Sequence, residues 1–146
     1  MSNSETVRAL LTAIEQLRWD EAKSYLADDF TLDGAAPQPL NAEAWLGVHK
    51  AFAAAMPDFS FNASDIHEEQ GGVRLRVQIS GTQTRAMALP VPGIPVIAPT
   101  GKRVQLPSEP CACEFRGDKI ASYTIEGVPG GGLPGILAQL GAALPA

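Results

Sequence analysis

The chain has 146 residues, of which 45% are hydrophobic, so its length suits a single domain (residues 1–146) built around one apolar core. With 16 acidic and 11 basic residues the net charge is −5, and the basic residues are scattered, so nucleic acid is not expected as a partner. The N-terminus has no signal-peptide pattern, and no apolar run reaches the roughly 20 residues of a membrane-spanning helix. We therefore expect a cytoplasmic protein that does not enter a membrane.

Three helices are predicted in the N-terminal part of the chain. Ser2 and Glu5 have the spacing of a capping box, and apolar residues then recur at intervals of three and four. Asp20 is suited to cap a second, short helix. Asn41 is suited to cap a third, which Pro57 ends. The apolar stripe of this third helix contains Trp45, Val48, His49, Phe52 and Met56.

After Asp58 the hydrophobic period changes from about 3.6 to 2 residues, which indicates β-strands. Alternation predicts strands over residues 59–64 and 73–80, with Gly71–Gly72 at the reversal between them. Further strands are predicted at Arg103–Leu106, Glu109–Phe115 and Lys119–Glu126. Gly117–Asp118 is a two-residue hairpin signal between the last two strands. Helices followed by long antiparallel strands predict an α+β fold.

The segment Ala86–Pro99 interrupts the strand pattern. Its prolines exclude a central strand or a helix, yet it is too hydrophobic for an ordinary exposed loop. We expect it to cover a pocket. A last helix is predicted from Leu133 to Leu140, entered through the flexible Gly130–Gly132 run.

No metal or cofactor is expected. Cys111 and Cys113 lie two apart on one strand, where a disulfide between them would be strained, and the chain has no zinc-binding spacing. We interpret both thiols as small apolar packing residues. The Gly130–Gly132 run matches neither the dinucleotide-binding nor the phosphate-loop spacing.

Five local phrases recur in a characteristic order over nearly the whole chain. They are Leu26–Phe30, Met56–Phe59, Val77–Thr82, Phe115–Ile120 and Leu137–Gly141. In these phrases the chain resembles the SnoaL-like polyketide cyclases of the nuclear transport factor 2-like superfamily. The resemblance implies a cone-shaped, curved antiparallel sheet wrapped around the N-terminal helices, a pocket at the wide end of the cone, and a homodimer.

His49 is the first candidate for a catalytic group. It lies one helical turn beyond Trp45, so both side chains should point toward the sheet and the pocket. A histidine there can act as a general base near neutral pH. The alternative is a hydrogen-bonded, inert histidine at the edge of the core.

Two glutamates are candidates for an acid and a base. By strand alternation, Glu126 shares a face with Ile120, and Glu109 shares one with Cys111 and Cys113. Both carboxyl groups can therefore enter an apolar cavity, where burial raises a carboxyl pKa and favours proton transfer. The alternative is a pair of solvated acids at strand ends.

Other residues are assigned to the cavity wall or to the surface. Trp45, Phe52, Met87 and Tyr123 can line a ligand cavity, although such residues are also common in ordinary cores. Asp58 is expected to have a structural role in its turn, and His67 to lie at a solvated turn.

Three functions are compatible with this sequence. The first is a cofactor-independent acid/base enzyme, cyclase- or isomerase-like, for a small hydrophobic compound, for example a polyketide-like one. The second is a binding module that holds a hydrophobic small molecule without chemistry. The third is a dimerisation unit that uses the outer sheet face, which would carry Arg74, Arg76 and Gln78.

Overall fold

The computed structural model describes residues 1–34 and 38–142. Within these ranges the helices are α1 (Asn3–Glu15), α2 (Trp19–Ser24), α3 (Ala42–Ala55) and α4 (Gly132–Gln139). The strands are β1 (Leu26–Asp33), β2 (Leu40–Asn41), β3 (Ser64–Glu69), β4 (Gly72–Val77), β5 (Ser80–Thr82), β6 (Arg103–Gln105), β7 (Glu109–Arg116) and β8 (Lys119–Ile125). No helix in the described part of the chain is long and apolar enough to cross a membrane.

Helix α1 begins with the predicted capping box. The Ser2 hydroxyl accepts the Glu5 backbone N–H at 3.1 Å, and the Glu5 carboxylate accepts the Ser2 N–H at 3.1 Å. Helix α2 begins two residues earlier than expected, since its N-cap is Arg18 and not Asp20, which lies in its first turn. There the Asp20 carboxylate interacts favourably with the helix dipole instead of capping it.

Helix α3 positions much of the core. The Asn41 side chain accepts the Ala44 N–H at 2.8 Å, as predicted for its N-cap, and the helix ends at Ala55 before Pro57. Trp45, His49 and Phe52 are buried on its inner face. The helix therefore presents one continuous aromatic stripe to the sheet.

The main sheet has the order β2-β1-β8-β7-β4-β3. Its pairs are antiparallel except β1 with β8, which are parallel and bring Leu32 beside Tyr123. β5 and β6 form a separate two-stranded sheet. The predicted α+β fold, with a mainly antiparallel sheet after N-terminal helices, is confirmed. The strand expected over residues 59–64 is reduced to a bridge between Ser60 and Ser80, because Asn62 has a φ of 46° that breaks the extended backbone.

Strand β8 contains a β-bulge. Ser122 lies opposite Glu114 and Ile120 lies opposite Phe115, so Ala121 is an extra residue without a partner on β7. One extra residue reverses which side chains face the core. Both Ile120 and Tyr123 are buried as a result.

The segment Ala86–Pro99 folds back on itself as a proline-rich hairpin. Met87 and Ile97 exchange both backbone hydrogen bonds at 2.9 Å. The side chain of Gln83 is completely buried beneath the C-terminal end of this segment, where its amide donates to the carbonyls of Ile97 and Ala98. These bonds fix the C-terminal end of the segment to the rest of the protein.

Two polar residues outside the cavity match their predicted roles. The Asp58 carboxylate accepts the Thr82 N–H at 2.7 Å and the Thr82 hydroxyl at 2.9 Å, which ties the turn after α3 to β5. His67 is exposed within β3, close to the Gly71–Gly72 turn, and its ring contacts the Glu69 carboxylate. Both thiols, Cys111 and Cys113, are free and buried, as expected for packing residues.

Candidate functional site

An apolar cavity lies between the inner face of the sheet and helices α3 and α4. Its volume is about 50 Å³. Because about 10–15 Å³ holds one water, this space holds only a few heavy atoms. The lining residues are Leu40, Trp45, Val48, His49, Phe52, Phe61, Val77, Ile79, Val91, Glu109, Tyr123, Ile125, Gly132, Leu133 and Ile136.

Few polar groups reach this cavity. Glu109, His49 and Tyr123 are the titratable residues among those that line it, and the lining contains no lysine or arginine. An anionic ligand would therefore meet no opposite charge on this wall. In the part of the chain that the structure describes, no cluster of histidine, cysteine and carboxylate side chains is arranged to hold a metal ion.

His49 is enclosed by aromatic rings. Its ring centroid lies 5.3 Å from that of Trp45, 5.4 Å from that of Phe52 and 5.1 Å from that of Phe61. Its Nδ1 is buried without a hydrogen-bond partner. Burial lowers the pKa of His49 from 6.5 to about 3. The imidazole is therefore neutral at physiological pH and is a weak base there.

Glu109 is the first residue of β7, and its side chain is turned inward. It is 2% exposed, and its Oε1 accepts the backbone N–H of Gly132 at 3.3 Å. Burial raises the pKa of this carboxyl group, and the weaker opposing effect of the Gly132 hydrogen bond lowers it. A buried carboxyl group with a raised pKa in a cavity wall is a candidate for proton transfer.

Tyr123 closes the cavity from the side of β8. Its ring centroid lies 5.5 Å from that of Trp45. Burial raises the pKa of Tyr123 well above 10, so the phenol stays protonated. This residue therefore supplies an aromatic wall to the cavity.

The model of the SnoaL-like polyketide cyclase family matches residues 4–126 of this chain. The chain belongs to the SnoaL-like polyketide cyclase family. None of the curated proteins with which it was compared matches this SnoaL-like sequence.

Solved structures share the fold of this SnoaL-like chain. IdmH from Streptomyces antibioticus, a proposed polyketide cyclase, is 24% identical over 97% of this chain and 100% of its own, with a TM-score of 0.69. AclR from Streptomyces galilaeus, a proposed hydroxylase, is 17% identical over 96% and 98%, with a TM-score of 0.69. A cystatin-fold protein from Novosphingobium aromaticivorans is 20% identical over 86% and 98%, with a TM-score of 0.62.

Five of the seven site residues expected from the sequence meet at the SnoaL-like cavity. They are Trp45, His49, Phe52, Glu109 and Tyr123. Glu109 lies where strand alternation placed it, because β7 pairs with β4 in unbroken register.

The other two expected residues lie elsewhere. Glu126 is exposed and does not line the cavity, because the bulge at Ala121 turns Tyr123 and Ile125 inward and leaves Glu126 on the other face. Met87 is completely buried but packs within the proline-rich segment and is not part of the cavity wall.

Several lining residues were not expected from the sequence. Leu133 and Ile136 belong to the apolar face of α4, which the helical spacing does indicate. The Gly132 N–H that contacts Glu109 has no signal in the sequence, since it depends on where α4 packs.

Proposed function

We propose that this chain is a cofactor-independent acid/base enzyme, cyclase- or isomerase-like, that acts on a small hydrophobic carbonyl compound held in the cavity. In this proposal Glu109 transfers the proton. The observation that supports it best is a carboxyl group 2% exposed, with a raised pKa, in the wall of an otherwise apolar cavity.

The proposed chemistry begins at a carbon next to a carbonyl group. The ionised Glu109 carboxylate takes a proton from this carbon, and the electron pair of the C–H bond moves into an enolate. In a ring closure the enolate carbon attacks a second carbonyl of the same molecule, and Glu109 returns its proton to the new alkoxide. In an isomerisation the proton returns to a different carbon. Neither reaction needs a redox partner.

His49 has a different role in this proposal. With a pKa of about 3 it is too weak a base to hold the proton at neutral pH. A neutral imidazole, however, donates a hydrogen bond through its one N–H group. We assign His49 to stabilise the enolate oxygen, where a donor in a dry site is most effective.

The cavity wall supports an uncharged ligand. No cation lines it, and an anion would be repelled by the Glu109 carboxylate when that group is ionised. At about 50 Å³ the cavity is smaller than the about 300 Å³ or more usual for ligand sites. A polycyclic compound would therefore need the wall to open, and Val91 is the wall residue that the proline-rich segment contributes.

The proposal is tested by identifying a ligand retained by the purified protein by mass spectrometry and then measuring its turnover. Glu109→Gln should lower the turnover rate by about 10²–10⁴-fold while binding persists, and His49→Gln should lower it less. Glu126→Gln is the matched control, because this exposed glutamate lies outside the cavity.

Turnover that is unchanged in Glu109→Gln contradicts the assignment. If the parent protein binds the ligand but never converts it, the protein is a binding module for hydrophobic small molecules. The apolar lining accommodates that second function equally well.

A further inference from the structure

Gly131 is a glycine whose backbone does not need one. Its φ of −95° and ψ of −178° are extended values that any residue adopts. It is the N-cap of α4, a position where serine, threonine, aspartate and asparagine are preferred because their side chains satisfy free N–H groups. The reason for glycine must therefore lie in the space around it.

The Glu109 carboxyl group fills that space. A Cβ atom at Gly131 would lie 2.8 Å from both Cδ and Oε2 of Glu109, and 3.0 Å from Cγ2 of Val128. Contacts below 3.0 Å require a neighbour to move. The carboxyl group thus packs directly on the glycine, and a side chain at this position would displace it.

The two oxygens of Glu109 have different surroundings. Oε1 accepts the N–H of Gly132, the first residue of α4, and so satisfies one of the free N–H groups at the start of this helix. Oε2 accepts no hydrogen bond from the described residues, and Glu109 is one of the residues that line the cavity. An oxygen that accepts an N–H favours the carbonyl form, so in the acid form the hydrogen is carried by Oε2.

We propose that Gly131 is a positioning residue, which holds Oε1 of Glu109 on the Gly132 N–H so that Oε2 is the atom that exchanges a proton with the ligand. This inference rests on the proposed function, since it names the reacting atom of the same carboxyl group. Because Glu109 lines the cavity and its Oε1 is engaged by Gly132, Oε2 is the oxygen left for the ligand.

The test follows the Glu109 titration by NMR in the protein without ligand. The ¹³Cδ signal of Glu109 and the ¹⁵N–¹H signal of Gly132 should titrate with the same midpoint, above the ordinary 4.5. In Glu109→Gln the Gly132 signal should no longer depend on pH in this range. A Gly132 amide that does not follow the Glu109 titration in the parent protein overturns the proposal.

Gly131→Ala tests the glycine itself. It should uncouple the Gly132 amide from the titration, whereas Gly127→Ala should not, because a Cβ at Gly127 meets no atom within 4 Å. Equal spectra of the two variants contradict the positioning role.

A second measurement applies even if Gly131→Ala folds poorly. Gly131→Ala should lower the urea midpoint in the parent but cause no further loss in a Glu109→Ala background, where the carboxyl group is gone. Equal losses in both backgrounds overturn the inference. If the Gly132 amide follows the Glu109 titration but Glu109→Gln keeps full turnover, the packing of Glu109 on Gly131 is supported and the proposed catalytic function is wrong.

Discussion

The ring centroids of His49, on α3, and Phe61 lie 5.1 Å apart. In these apolar surroundings Nδ1 of His49 has no hydrogen-bond partner. An unpaired buried polar group destabilises a fold. We therefore expect His49→Leu, which removes the polar atoms at similar size, to raise the free energy of unfolding by about 1 kcal/mol. Urea denaturation measures this change.

Gln83→Leu is the matched control for that variant. Gln83 is equally buried, but its amide donates to Ile97 and Ala98 and accepts from Thr100. Leucine would leave these partners unpaired, so this variant should be less stable than the parent. A His49→Leu protein that is also less stable would contradict the prediction.

His49 should also make stability depend on pH. Its pKa is about 3 in the folded protein and about 6.5 in the unfolded chain. Between these values the unfolded chain binds more protons, so stability should fall as the pH is lowered from 6.5 toward 3, by up to about 1.4 kcal/mol per pH unit.

The Glu109 carboxyl, with its raised pKa, acts in the opposite direction: its contribution to stability is present at low pH and is lost as the pH rises above 4.5. Comparison of the parent with His49→Leu isolates the histidine, because Glu109 titrates in both proteins. Parallel stability curves for the two proteins between pH 4 and 6.5 would show that His49 is not neutral and buried.

The proline-rich segment should contribute to ligand binding through Val91. Val91 lines the cavity and is only partly buried, so Val91→Ser should weaken binding of the ligand retained by the purified protein by about 10-fold with little loss of stability. Titration calorimetry measures the affinity. Val96→Ser, at a side chain 64% exposed, should change neither property.

Leu89→Ser provides a second comparison for the segment. Leu89 is buried but does not line the cavity, so its replacement should lower the free energy of unfolding more than it weakens ligand binding. If Val91→Ser loses as much stability as Leu89→Ser, the segment is ordinary core and does not act as a cavity wall.

We predict a homodimer formed through the outer face of the curved sheet, where Arg74 and Ala112 are paired neighbours on β4 and β7. Sedimentation at micromolar concentration should give the mass of two chains. Ala112→Glu, which adds a charge to that face and lies on the side of the sheet away from the cavity, should give a monomer. A monomeric parent protein would contradict this prediction.

The sequence predicts the helices well because their signals are local. The caps at Ser2 and Asn41 act within one turn, and the structure has both. By contrast, the parallel pairing of β1 with β8 joins distant parts of the chain, and no local pattern indicates it.

The two glutamates show the same limit at the site. Alternation placed Glu109 correctly because its strand has no irregularity before the cavity. It misplaced Glu126 because the bulge at Ala121 is set by pairing with β7, and a bulge leaves no reliable mark in a single sequence. The role of Gly131 depends on a side chain from a remote strand, so the sequence shows only a flexible glycine run there.

The burial of Cys111 and Cys113 makes the protein convenient for site-specific labelling. Maleimides react with thiolates, and burial raises the pKa of Cys111 to about 12 and that of Cys113 further. Both native thiols should therefore stay unmodified at neutral pH while the protein is folded. A cysteine introduced at the exposed Val96 would be the single reactive site, so a fluorophore attached there can follow the proline-rich segment without removal of the native cysteines.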